Sequence, residues 1–413
     1  MFVVETGSQK IYTSASPQPS APLATDWLVN AVNHYVQNFV LQAENGLPGM
    51  YNEVPRLCTL SPGKEYLQSA FQAVALCHIA RVNRMGPEHL RKAQRLHGEA
   101  IRGLRTALND EAEARSATAL MTTELLWQYD LILGVANSST GSPHQQGMLR
   151  ILQIRLRHGS HDSFNITKAA FISFVLNNIG QRAPAAIIAP AVSLYPCFPP
   201  ERADDIACTY LGMMCHAMSL HRSIPAIDAS YEDVASYVAQ VTQLNADILE
   251  WETFIPEDWK YNLYMKPLAL DQEEEYPQMI ISFPNVNTMI LWITFWMTRL
   301  EILQCFDQLH VITPQSVTLS SDMSFLVDLI CAAIPQMTGQ TIAVKEISTS
   351  ETVKHLASLF AMRSLFLAGQ VRNSPTVKTR WILQQLEYIG RQKGIGQALE
   401  LVQYLQSNWN GEE

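Results

Sequence analysis

Apolar side chains recur every three or four residues along almost the whole chain, and this period leaves room for little other than packed α-helices. Asp26 is a natural N-cap, and Leu28, Ala31, Val32, Tyr35, Val36, Phe39 and Val40 follow it at i, i+3, i+4, i+7 spacing. The pattern returns in Leu90, Ala93, Leu96, Ala100, Ile101, Leu104 and Leu108, with Arg91, Arg95, Arg102 and Arg105 turned outward. Further segments of this period lie near 64–84, 115–134, 144–157, 165–181, 202–221, 231–254, 286–310, 321–334, 351–369, 377–392 and 395–408. Turn text such as Ser142-Pro143, Pro199-Pro200, Ile224-Pro225 and Gly394 separates them. Strand-length alternation is nearly absent. The expected fold is all-α: one large body of about a dozen helices with no sheet. Neither a 33–47-residue repeat nor a heptad run is present, which argues against solenoids and coiled coils. The Ser/Ala/Pro tract at 13–25 reads as linker, so the organisation expected is a flexible segment over 1–25 and a helical body over 26–413.

Two segments, 165–181 and 286–303, are apolar nearly all round, as helices at the centre of a large body are. Hydrophobic residues make up 47% of the 413 and charged ones 16%, enough for a sizeable core and too apolar for disorder. The uncharged run Tyr276–Thr298 is long enough to cross a bilayer, but Pro277, Pro284, Asn285 and Asn287 interrupt it, so no membrane span is expected. The net charge is −9, the wrong sign for a body that neutralises phosphates, and argues against direct nucleic-acid binding. Seven cysteines, with no Cys-x-x-Cys pair, read as reduced core residues. The N-terminal text MFVVETGSQK lacks the character of a secretory signal. The expected setting is intracellular, cytoplasm or nucleus.

Catalytic motifs are lacking. His158, His161 and Asp162 cluster without the further ligands that zinc needs, so neither metal nor cofactor is expected. Gly394-Ile-Gly396 is a turn between helices rather than a phosphate loop, and Asp271–Glu275 is a solvated acidic stretch. Less ordinary are the polar-tipped groups inside the most apolar helices: Trp127, Tyr129 and Asp130; Trp251 and Glu252; Trp292, Trp296 and Arg299. Core packing with satisfied hydrogen bonds is one reading of them, and the lining of a ligand cavity is the other. Trp292, Trp296 and Arg299 share a helix face, and His216, on another apolar helix, is the polar partner expected from across the interior. Glu301 gives that helix a wet side.

Between residues 89 and 159 the chain carries Leu125-Leu126-Trp127-Gln128-Tyr129-Asp130-Leu131, then His144-Gln145-Gln146-Gly147 and Leu152, then Arg157-His158-Gly159. In order, these resemble the regulatory region of fungal-specific, zinc-cluster transcription factors. Trp251 to Trp259, with Pro256 between, resembles that family's tryptophan-proline-tryptophan stretch. Leu291 to Ile302 resembles its central helix, and Trp381–Gly390 with Gly394–Ala398 its C-terminal helix pair. Asp130 stands where the family has Glu, and one residue separates Arg157 from Gly159. The six-cysteine cluster that precedes this region in the family has no counterpart here, where the text starts at the linker. The resemblance implies a helical regulatory module without its DNA-reading part.

Two functions are open at this point. One is a regulatory module that binds an apolar small molecule, a fungal secondary metabolite or its precursor, in an interior cavity lined by Trp292, Trp296, Arg299, His216, Tyr129 and Trp251, with a protein partner or a homodimer as further possibilities. The other is a cofactor-free biosynthetic enzyme, a cyclase or isomerase of the intramolecular cycloaddition kind, with Arg299 and His216 polarising the substrate.

Overall fold

A computed structural model describes residues 2–6, 9–13, 26–44, 49–61, 63–135, 142–157, 164–179, 185–197, 206–226, 229–266, 276–310, 317–340, 354–371 and 376–409. Sixteen α-helices lie among the described residues. The all-α reading holds, with two short antiparallel strand pairs added. β1 (Phe2–Thr6) pairs with β2 (Gln9–Thr13), inside the N-terminal segment expected to be flexible, and β3 (Asn262–Met265) pairs with β4 (Met279–Ser282). Strands of four and five residues are too short to show alternation in the sequence.

The first half of the body is built on α3 (Glu65–Val82), an apolar helix that α1 (Trp27–Phe39), α4 (Pro87–Ala107) and α6 (Ala117–Leu133) surround. Asp26 caps α1 as expected, its carboxylate accepting from the Leu28 and Val29 amides. Helix α2 (Glu53–Leu60) and the single turn α5 (Glu111–Ala114) lie between these elements in the chain. Next come α7 (Pro143–Arg157), α8 (Phe164–Asn178) and α9 (Ala185–Leu194), the last carrying Pro190 inside it. Ser142 opens α7 with a capping box: its hydroxyl accepts from the His144 amide, and its own amide donates to Gln145 Oε1 at 3.0 Å.

The second half is organised by α12 (Val286–His310), whose range matches the period of the sequence. Around it stand α10 (Ile206–Arg222), α11 (Tyr231–Thr253), α13 (Val317–Thr338) and α14 (His355–Gly369). Among the described residues, α12 is the one helix long and apolar enough to cross a membrane by length and composition. Of its most apolar window 83% is buried inside the protein, as befits a core helix. The prolines and asparagines before it do what their chemistry predicts: β4 ends, and Asn285 Oδ1 accepts the Thr288 amide at 2.8 Å at the start of the helix. Glu301 departs from expectation, because its side chain is buried rather than on a wet side.

Helices α15 (Thr376–Gln392) and α16 (Gln397–Trp409) close the structure. The turn between them docks on the first half, where Arg81 Nε donates to Gly394 O and the Gly396 amide to Ile132 O at 2.8 Å. One hydrophobic core runs from Ala31 to Leu405.

Candidate functional site

Trp251, Trp292 and Trp296 converge, as the sequence suggested. Trp296 stands edge-on to Tyr261 at 5.3 Å and 6.0 Å from Trp292, while Trp292 Nε1 donates to Trp259 O at 2.8 Å. Trp251 stacks between Tyr210 and Phe295, at 4.6 and 5.6 Å. The two stretches that resemble the transcription-factor family, 251–259 and 291–302, therefore pack on each other through aromatic rings. Arg299 reaches over the Phe295 ring at 5.9 Å, and its Nε is buried with no hydrogen-bond partner among the described residues. Glu252 is the nearby carboxyl: burial pushes its pKa up and the Arg299 charge pulls it back.

His216 is not part of this cluster. It is exposed on α10 while Cys215 and Ala217 on either side are buried, so the interior partner expected for Arg299 is not His216. Tyr129 belongs to another cluster, described below.

A cavity of about 60 Å³ lies on a different face of α12, lined by Asn287, Ile290, Leu291 and Thr294 together with Tyr210, Met214 and residues of α8. Its polar groups are already engaged: Tyr210 Oη with Thr298 Oγ1 at 2.8 Å, Asn287 Nδ2 with Gln42 O at 3.0 Å, and Thr294 Oγ1 with Ile290 O at 2.8 Å. What remains is an apolar hole, far smaller than the roughly 300–1,000 Å³ of drug-sized pockets. Trp292 and Trp296 do not line it.

Two side-chain clusters among the described residues have metal-ligating chemistry. In the first, the buried His78 of α3 lies between His34 of α1 and His355 of α14, with His34 Nε2 to His78 Nδ1 and His78 Nε2 to His355 Nδ1 both 3.1 Å. His78 Nε2 also faces Lys393 O at 3.0 Å, which makes that nitrogen a donor and leaves Nδ1 to accept from His34. Burial lowers the pKa of all three rings, well below the ordinary value for the fully buried His78 and down to about 4 for His355.

In the second, His97 of α4, Asp130 of α6 and His144 of α7 meet. His97 Nε2 is 3.8 Å from Asp130 Oδ1 and His144 Nε2 is 3.6 Å from Asp130 Oδ2. Tyr129 stacks flat on His97 at 4.1 Å, fixing the ring, and Ser142 Oγ lies 3.4 Å from Asp130 Oδ2. Burial moves His97 down to about 4 and Asp130 up to about 6. Three of these residues, Tyr129, Asp130 and His144, are ones the sequence had already set apart, but His97 was missed. The His158, His161 and Asp162 group lies outside the described residues, as does the acidic stretch Asp271–Glu275.

The sequence also gave no sign of Arg363. It is fully buried on α14 over the Trp127 ring at 5.5 Å, with none of its three guanidinium nitrogens hydrogen-bonded among the described residues, and burial pushes it down to about 9.

An all-helical body with an aromatic centre and the motif order described above is transcription-factor-like, and similarity to a known protein supports that class. One such protein is the transcription factor dbaG of Emericella nidulans, 23% identical over 370 residues that cover 85% of this chain and 84% of that protein. No family model matches the chain, and no solved structure matches it.

Proposed function

We propose that the chain is a transcriptional regulator of the dbaG kind that works through a protein partner and is tuned by an apolar small molecule seated beside α12. The observation that carries the reading is the similarity to dbaG, which extends over more than four-fifths of both proteins. The net charge of −9 favours a partner, rather than this helical body, as the part that touches DNA. The cavity on α12 supplies the ligand reading: at about 60 Å³ it takes the end of an alkyl or isoprenoid chain, with the helices parting for anything larger.

Deletion of the gene in its own host, followed by transcript sequencing, is the direct test. A coherent set of transcripts should change several-fold, while the purified chain alone should give no sequence-selective mobility shift with their promoters. Unchanged transcripts would remove the regulatory reading. Thermal shifts with host extracts fractionated by polarity test the ligand. An apolar fraction should raise Tm in the wild type and fail to do so in Met214→Phe, which fills the cavity. Recovery of the ligand chemically changed would replace regulation by the cyclase or isomerase reading.

A further inference from the structure

The contacts at Asp130 are unlike ordinary hydrogen bonds. At 3.6 and 3.8 Å they exceed the roughly 2.7–3.2 Å of an N–H···O bond. His97 Nε2 is buried without a hydrogen-bond partner among the described residues, although an acceptor carboxylate lies directly before it. Two ligands held about 2.1 Å from one metal ion at a tetrahedral angle stand roughly 3.4 Å apart. Each Nε2 atom thus stands at nearly the spacing of a co-ligand from a carboxylate oxygen, the two facing different oxygens of Asp130. All three donor atoms lie within 4.8 Å of one another.

The surroundings are those of a prepared site. Tyr129 locks the His97 ring, and Ser142 links the Asp130 carboxylate to the cap that places His144 in the first turn of α7. The side chains of His97, Asp130 and His144 retain 15%, 14% and 19% exposure, so water can reach the fourth position. The His34, His78 and His355 cluster differs, because His78 there is engaged at both nitrogens, by its neighbours and by Lys393 O.

We infer that His97, Asp130 and His144 bind one divalent transition-metal ion, tying α4, α6 and α7 together. Two imidazoles and one carboxylate suit Zn²⁺ or Co²⁺ and are a poor match for Mg²⁺ or Ca²⁺, which need oxygen donors throughout. With three protein ligands, the ion keeps a position for water or for an outside ligand.

The test uses the full chain, stripped with chelator and titrated with ZnCl₂ and CoCl₂. Calorimetry should give one equivalent of Zn²⁺, Tm should rise and level off at that equivalent, and Co²⁺ should give a visible d–d band that Zn²⁺ displaces. MgCl₂ should do none of this. Asp130→Asn and His144→Ala should each weaken Zn²⁺ binding at least tenfold, and His355→Ala should leave it unchanged. His144 is half-buried at the start of its helix, so His144→Ala probes the site even where Asp130→Asn fails to fold. Absence of stoichiometric binding overturns the assignment. So does binding that survives both Asp130→Asn and His144→Ala but disappears with His355→Ala, which would put the ion at His78 instead.

Discussion

Glu124 shows how much one buried proton can govern. It sits in α6 with the Ser173 hydroxyl of α8 donating to it, and burial pushes its carboxyl from about 4.5 up to about 8. A folded chain that holds this proton where the unfolded chain releases it loses stability as pH rises from about 4.5 to about 8, at ~1.4 kcal/mol per unit, and no further above that. Glu124→Gln keeps an acceptor for Ser173 without the titration. Urea unfolding at pH 5, 6.5 and 8 should show the variant gaining on the wild type at each step, and a constant difference would show that Glu124 is charged at all three. Arg363 is the opposite case, a cation with no hydrogen-bond partner among the described residues, whose attraction to the Trp127 face offsets only part of its desolvation. Neither group could be recognised from its residue type, because Glu and Arg read as solvent-facing until the fold encloses them.

At the scale of the element, the sequence and the structure agree most closely where apolar period and capping coincide. α12 begins and ends where its pattern does, and Asp26 caps α1. Helix α9 was missed because Pro190 breaks the pattern that should announce it. The exposure of His216 was legible after all: Leu211, Met214, Cys215 and Met218 form the buried i, i+3, i+4, i+7 stripe of α10, and residue 216 falls outside it. The union of His97, Asp130 and His144 could not be read, since three helices must be docked before the spacing means anything. Docking also explains a glycine pair. Gly134 ends α6 at φ +86°, and a Cβ on Gly396 would come within 2.6 Å of Leu133 O, so the α15–α16 turn and the end of α6 touch backbone to backbone. Gly396→Ala should cost more than ~1 kcal/mol in chemical denaturation. Gly98→Ala, in the middle of α4 with only the Arg102 side chain close by, should instead stabilise by ~0.5–1 kcal/mol. Equal effects at the two positions would show that the close approach is not what fixes Gly396.

For the whole molecule, the decisive contacts join distant parts of the chain. His78 to Lys393 O, Arg81 to Gly394 O and Lys354 to Val40 O span 315, 313 and 314 residues. A ribosome adding about 5–20 residues per second takes roughly 15–60 s to cover that distance. For most of that interval α1, α3 and α6 have been made while their covering turn has not, and their apolar surfaces are open to other chains and to chaperones. A stop codon after Gln392 would make that state permanent by removing the acceptors of His78 and Arg81, whereas one after Trp409 would leave all sixteen described helices in place. The first product should be found in inclusion bodies and the second in the soluble fraction. A nonsense codon at position 393, with fifteen of the described helices already encoded, is thus as complete a loss as one within α1.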